Sequence, residues 1–321
     1  MKWFRKIYSF DYMGHKVLWF AFSGIVIGAG LVSLFVRGGG DPRHGLNYGL
    51  EFKSGTRVTV AFEKSATIAG VRKVVAGQGY ADAQIQHYEP RQKGEVAGFQ
   101  IQTKTLTTGQ QDSLEKALNK AFTIAPYKGA SSFSPETVGP VFGKEIISSS
   151  WKAAIFALIL IMIYVSVRFE WKFAIGAIAA EAHDLLVVVG VYSITGREVT
   201  TATVAAVLTI LGYSLYDTVI VFDRVRENAP RMTRVRYGDM VNRSIWETLT
   251  RSINTTMITL IPVVALLLFG GTTLTDFAFA LLVGVLSGAY SSIFVASPIA
   301  TLLKEREPQH RKMIARADAR S

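Results

Sequence analysis

Three apolar runs carry ionisable side chains where a bilayer would hold them. The run FAIGAIAAEAHDLLVVVGVYSI contains Glu181, His183 and Asp184 near its middle. Glu181 and Asp184 are three residues apart and share a helical face, with His183 more to the side. The run TATVAAVLTILGYSLYDTVIVFDRVREN places Asp217 past its centre, roughly 9 Å toward one end by helical rise. Tyr213 lies one turn before Asp217 and Arg224 two turns after it. The run opening ETLTRSINTTMITLIPVV holds Arg251, Thr255 and Thr259 at i, i+4 and i+8, with Asn254 beside them. An ionisable group inside an apolar helix is costly, so each of these needs a partner or a job.

The second and third of these runs are consecutive, so their helices are antiparallel. Asp217 and Arg251 then reach similar depth near the same membrane face. A carboxylate opposite a guanidinium in a low dielectric is stabilised as an ion pair, and separating the two favours the protonated acid. Such a pair can couple protonation to movement, or it can simply clip two helices together; spacing alone leaves both readings open. Asp223, Arg224, Arg226 and Glu227 read as a solvated helix end. His183 next to Asp184 suits an interhelical hydrogen bond. Zinc is not expected, because no second histidine lies within reach in the sequence.

The elements that position these groups follow from hydropathy. Half of the 321 residues are hydrophobic, and the mean hydropathy is +0.29. Six apolar runs, at about 17–36, 150–167, 173–194, 200–222, 249–269 and 277–303, are long enough or nearly so to cross a bilayer. The first is read as an uncleaved anchor, because no small-x-small cleavage site follows it. Lys2, Arg5 and Lys6, then Arg168 and Lys172, then Arg224 to Arg243, then Lys304 to Arg320 all fall on one side, which the positive-inside rule makes cytoplasmic. The formal charge of +11 therefore belongs to topology rather than to nucleic acid. No cysteine is present, which removes disulfides and thiolate chemistry. Pro262 is expected to kink the fifth span. The pairs Gly24/Gly28 and Gly284/Gly288 suit close helix contacts.

The polar segment 37–148 reads as β-α-β-β-α-β. Strands are predicted over 55–62, 82–89, 98–104 and near 130–138, and helices over 66–77, capped by Ser65, and from Thr108. The expected architecture is an α-helical membrane protein with six transmembrane helices and a small ferredoxin-like α+β domain outside, between helices one and two. The expected boundaries are 1–36, 37–148, 149–303 and a basic cytoplasmic tail 304–321. No nucleophile elbow, HExxH or Walker A pattern occurs, so no enzyme is expected and no cofactor.

The stretches VGPVFGKEI, IYVSVRFEWKFAIGAIAAEAHD, LTILGYSLYDTVIVFDRVREN, TLTRSINTT and GVLSGAYSSIFVASPI resemble the SecF family, the smaller half of the bacterial SecDF accessory translocase, in the resistance–nodulation–division superfamily. The resemblance spans nearly the whole chain. It implies a SecD-like partner subunit, the SecYEG channel, an exported polypeptide as substrate, and a multi-pass place in the bacterial inner membrane with both termini cytoplasmic. It also implies that an ion gradient, of protons or of sodium, drives protein export. Asp217 matches the family's intramembrane aspartate, Arg251 its arginine, and His183–Asp184 its HD pair; Tyr213, Thr255, Asn254 and Glu181 would support them. One segment departs: GLEFKSGT has Glu51 where relatives carry aspartate and Ser54 where they carry the first glycine of a pair, which puts the local turn in question. A proton-driven exporter of lipids or small hydrophobic molecules, and a membrane scaffold without transport, are the competing classes.

Overall fold

The computed structural model describes residues 10–63, 65–88, 98–127, 130–232 and 235–308. Lys2, Arg5, Lys6, Glu89, Arg234, Arg311, Lys312, Arg316 and Arg320, which entered the strand and charge readings, lie outside the described residues. The chain forms two compact units, one of residues 48–150 and one of 1–47 with 151–321.

In chain order the helices are α1 (Lys16–Arg37), α2 (Ile68–Gly77), α3 (Thr108–Phe122), α4 (Pro140–Arg168), α5 (Trp171–Thr195), α6 (Thr201–Asn228), α7 (Tyr237–Phe269), α8 (Gly271–Ser291) and α9 (Ser297–Glu305). The main strands are β1 (Gly55–Val60), β2 (Gln84–Tyr88), β3 (Gly98–Thr103) and β4 (Ser134–Val138).

The smaller unit is a four-stranded antiparallel sheet in the order β2-β3-β1-β4. This is the strand order of a split βαβ fold, as the alternation predicts. Val58, Val60, Ile85, Phe99 and Ile101 point from the strands to one side. Val71 and Val75 of α2 and Leu114 and Leu118 of α3 close over them, and all nine are at most 8% exposed. Each such side chain contributes about 1.5–3 kcal/mol by leaving water. The caps differ from the expected ones by one or two residues. Thr67, not Ser65, caps α2, its hydroxyl accepting from Gly70 N at 3.1 Å. Thr107, not Thr108, caps α3, its own N–H donating to Gln110 Oε1 at 2.9 Å. For α2 an equally competent threonine directly precedes the first helical residue; for α3 the helix takes in Thr108 itself, and the reciprocal bond from Gln110 fixes Thr107 as the cap.

The departing segment folds as a single turn, Leu50–Lys53, closed by Ser54 N–H donating to Leu50 O at 2.9 Å. Ser54 takes φ 59° and ψ 164°, and Gly55 follows at φ 128°. The left-handed conformation that glycine would adopt freely is therefore kept, with serine bearing the strain. Ser54→Gly is expected to stabilise the unit by about 1 kcal/mol, since such conformations cost about 1–3 kcal/mol in a residue with a Cβ. Hydrogen exchange of the β1 amides in the full chain is the check; unchanged protection counts against the strain. Gly55 has no such latitude, because a Cβ there would lie 2.3 Å from Thr103 O.

In the larger unit the spans are α1, α5, α6, α7 and α8 with α9; α4 supplies the sixth over Val141–Arg168. All six are at least 22 residues long, about 33 Å of helix or more. Helix α7 begins at Tyr237, well before the apolar run at 249, because Tyr237, Met240, Val241, Ser244, Ile245 and Thr248 form a buried stripe that its flanking charges hide from hydropathy. It continues through Pro262 as one helix. Helix α8 passes into α9 through one π turn, Ser292–Ala296. The glycine contacts divide. Gly284 and Gly288 receive Ile210 and Ser214 of α6, but Gly24 and Gly28 have nothing within 4 Å of a would-be Cβ. The tight crossing of α1 uses Gly30 instead, against Gly190 of α5, where a Cβ would sit 2.6 Å from a Cα.

Candidate functional site

Two constellations emerge from the buried polar residues. In the first, α5 presents Asp184, completely buried, to α6 and α8. Its carboxylate accepts from Ser214 Oγ at 2.7 Å, Ser287 Oγ at 2.5 Å and Ser291 Oγ at 2.8 Å. His183 Nδ1 lies 3.1 Å from the same carboxylate. Four polar groups thus surround one carboxyl group, as its burial requires. The packing makes this possible: Gly288 removes bulk beside Ser214, so α8 approaches α6 closely enough for two of its serines to reach α5. The His183 ring stacks on Tyr290 with centroids 5.8 Å apart, and the Tyr290 hydroxyl donates to Trp19 O of α1 at 3.0 Å. Glu181, one turn before Asp184, is 1% exposed, and its Oε2 has no hydrogen-bond partner among the described residues.

The second constellation lies between α6 and α7. Asp217 is 2% exposed. Its Oδ1 is 3.5 Å from Thr255 Oγ1, a long contact, since that hydroxyl also lies 3.0 Å from Ser252 O and 3.1 Å from Arg251 O. Its Oδ2 has no partner among the described residues, nor do Tyr213 Oη and Thr256 Oγ1. Buried polar atoms without partners are rare, and three of them fall on these two helices. Ser252 is a further neighbour of the carboxyl.

The expected Asp217–Arg251 ion pair is not closed. Among the described residues no ion pair joins them; Arg251 is exposed and donates from Nη2 to Tyr216 Oη at 3.0 Å. Its charge still acts on Asp217 through space. Antiparallel packing puts the two at matched depth, as the sequence implies, but the guanidinium has a second acceptor that spacing could not show. Asn254, read as a supporting group, is exposed on the outer face of α7. Thr259 donates to Thr255 O at 2.9 Å within the helix. Arg224 turns away from Asp217 and bonds Glu247 at 2.6 Å and Glu227 at 2.7 Å, and Arg226 bonds Asp223 at 2.9 Å. These charges form the paired helix end that the sequence suggests.

The serines of the Asp184 cage and Tyr216 are the site residues the sequence reading missed. Ser287 and Ser291 do stand at i, i+4 beside a glycine pair, which is the one signal that points inward.

Comparison with known proteins places this geometry. Residues 118–306 match the family "Protein export membrane protein SecD/SecF, C-terminal", and residues 43–66 match the "SecD/SecF GG Motif". The chain is 36% identical over 320 residues to "Protein translocase subunit SecF" of Streptomyces coelicolor, covering 97% of this chain and 81% of that one. It is 38% identical over 297 residues to the subunit of the same description from Thermodesulfovibrio yellowstonii, covering 92% and 95%. The crystal structure of SecDF, a translocon-associated membrane protein from Thermus thermophilus, superposes with a TM-score of 0.77 at 33% identity. That match covers 92% of this chain and 39% of the SecDF chain, so the present chain spans about two fifths of it. A SecDF structure in a super-membrane-facing form gives a TM-score of 0.66 at 32% identity, covering 97% and 40%.

Proposed function

Because this multi-pass chain belongs to the SecD/SecF family of protein export membrane proteins, we propose that it is the subunit of an ion-driven complex that assists protein export, coupled through Asp217 and Arg251. The observation that carries the reading is the open pair. Asp217 is buried with an oxygen that has no hydrogen-bond partner among the described residues, while the guanidinium that would neutralise it is held on Tyr216. A carboxyl so placed is neutralised either by a proton or by closure of Arg251 upon it. Alternation between these two states links ion passage to the relative position of α6 and α7. Movement of the extracytoplasmic domain, and through it of the exported polypeptide at the SecYEG channel, is the output. The proton is the coupling ion in this reading. The membrane is the bacterial inner membrane, with both termini in the cytoplasm.

A partner is part of the proposal. Tyr216, Arg251 and Asn254 are exposed on adjoining faces of α6 and α7. Gly212, one turn before Tyr216, has open space where a side chain would go. A guanidinium and an amide are poor company for lipid, so a second set of helices with matching polar groups belongs there. A SecD-like subunit supplies it, in keeping with the SecDF chains that join both halves. Gly212→Trp is expected to leave insertion intact and to cut co-purification with the SecD-like subunit by about tenfold, the effect of ~1.4 kcal/mol. Full recovery of the complex from both Gly212→Trp and Asn254→Trp would place the partner elsewhere.

A further inference from the structure

The open state of the pair needs an explanation, because a buried carboxylate and a nearby guanidinium attract strongly when little separates them. Arg251 lies near enough to act on Asp217, yet its Nη2 is given to the hydroxyl of the residue directly before Asp217. Tyr216 is 49% exposed, so its ring is not fixed by the core, and its main polar contact is this one. Ser252 and Thr255 on α7 are the other side chains against the carboxyl, and neither of these hydroxyl groups bears a charge; Tyr213 stands one turn before it on α6. None of them competes for a cation.

We infer that Tyr216 is a positioning residue for the Asp217–Arg251 switch: its hydroxyl is the alternative acceptor that holds Arg251 in the open state. The inference rests on the coupling role proposed above for that pair. Without the hydroxyl, an open Arg251 loses the one side-chain acceptor it has among the described residues, and closure on Asp217 becomes the favoured arrangement. With it, both positions of the guanidinium offer a hydrogen bond, and small changes at Asp217 decide between them. A two-position side chain of this kind is what a switch requires, since neither state is abandoned when the other forms.

A carbodiimide reads the state of the carboxyl directly. It adds to a protonated carboxylic acid to give an O-acylisourea, which rearranges to a stable N-acylurea; a carboxylate paired with arginine does not react. Membrane vesicles carrying the full complex are treated with dicyclohexylcarbodiimide, and the Asp217 peptide is quantified by mass spectrometry. Wild-type protein is expected to label at Asp217. Tyr216→Phe is expected to label several-fold less, and Tyr216→Phe with Arg251→Met to recover wild-type labelling. Equal labelling of Tyr216→Phe and wild type would overturn the inference, as would absence of labelling in wild type or failure of the double variant to recover. A merely structural role for Tyr216 would not be reversed by removing Arg251. The labelling result is independent of export, so it separates the role of Tyr216 from the coupling role of Asp217, which an export assay tests.

Discussion

Asp217→Asn is expected to abolish the gradient-driven stimulation of protein export while leaving the folded complex in place. The amide is nearly the same shape and keeps an oxygen toward Thr255, so little packing is lost. What disappears is the ability to change charge. Arg251 then has no ionisable partner at this depth, and α6 and α7 receive no signal from the gradient. Coupling free energies between linked sites run about 1–3 kcal/mol, roughly 5- to 150-fold in the linked equilibrium, and it is this linkage that the variant removes. Export into inverted membrane vesicles, with proton and sodium gradients imposed separately, measures it. Arg251→Met is expected to match the aspartate change, because a switch needs both ends. Retained stimulation in Asp217→Asn vesicles rules out the carrier role, and normal export with Arg251→Met makes the pair a passive clip. Loss of folded protein in both would favour a scaffold.

Asp184→Leu is expected to have the opposite signature: stability falls rather than coupling. The leucine fits the volume but offers nothing to Ser214, Ser287, Ser291 and His183. Individual hydrogen bonds between membrane helices average only ~0.6 kcal/mol. Those made to a charged acceptor in a dry interior are stronger, about 1.5–3 kcal/mol. Some serines recover by turning to their own helix, as Ser291 can to Gly288 O at 3.3 Å. The net cost is therefore about 2–4 kcal/mol, concentrated where α5, α6 and α8 meet. Thermal unfolding in detergent should show a large drop in Tm for Asp184→Leu and almost none for Asp217→Asn. Similar Tm values for the two variants would mean that the serine cage is not what joins the three helices.

These two aspartates were not equally legible in the sequence. Asp217 declares itself as a residue needing a partner, because a lone carboxylate amid valine, leucine and isoleucine is costly, although the sequence leaves a switch and a passive clip equally open. Arg251 declares itself by its distance from the helix end. Tyr216 does not, since a tyrosine in a membrane helix is ordinary and only the fold shows where its hydroxyl points. The partners of Asp184 were hidden for a related reason. Serine is common in such helices, and which serines face a given carboxylate depends on helix rotation, a three-dimensional quantity. Glycines show the same limit: the i, i+4 pair Gly24/Gly28 looked like the contact, whereas the crossing uses the isolated Gly30 and Gly190. The outer unit was read more fully, because period-2 alternation and turn residues specify a small antiparallel sheet strand by strand. Its caps moved, several of its elements end or begin a residue or two inside the expected bounds, and the last strand begins at Ser134 rather than near 130.

The π turn at Ser292–Ala296 bears on how these parts stay together. Along the sixth span, Ser287 and Ser291 face Asp184 of α5, and Ala296 and Ala300 face Gly176 of the same helix. Their spacing is four, then five, then four. A regular helix turns roughly 100° per residue, so a five-residue step would swing Ala296 about 140° off the seam. The wider π turn absorbs that surplus rotation. It acts as a phase corrector, resetting the angular position of the chain midway so that one edge of the sixth span stays against α5 along its length. Deleting one residue from this turn shortens the five-residue step to four, so a regular helix should replace the π turn with the serines and the alanines still along one edge.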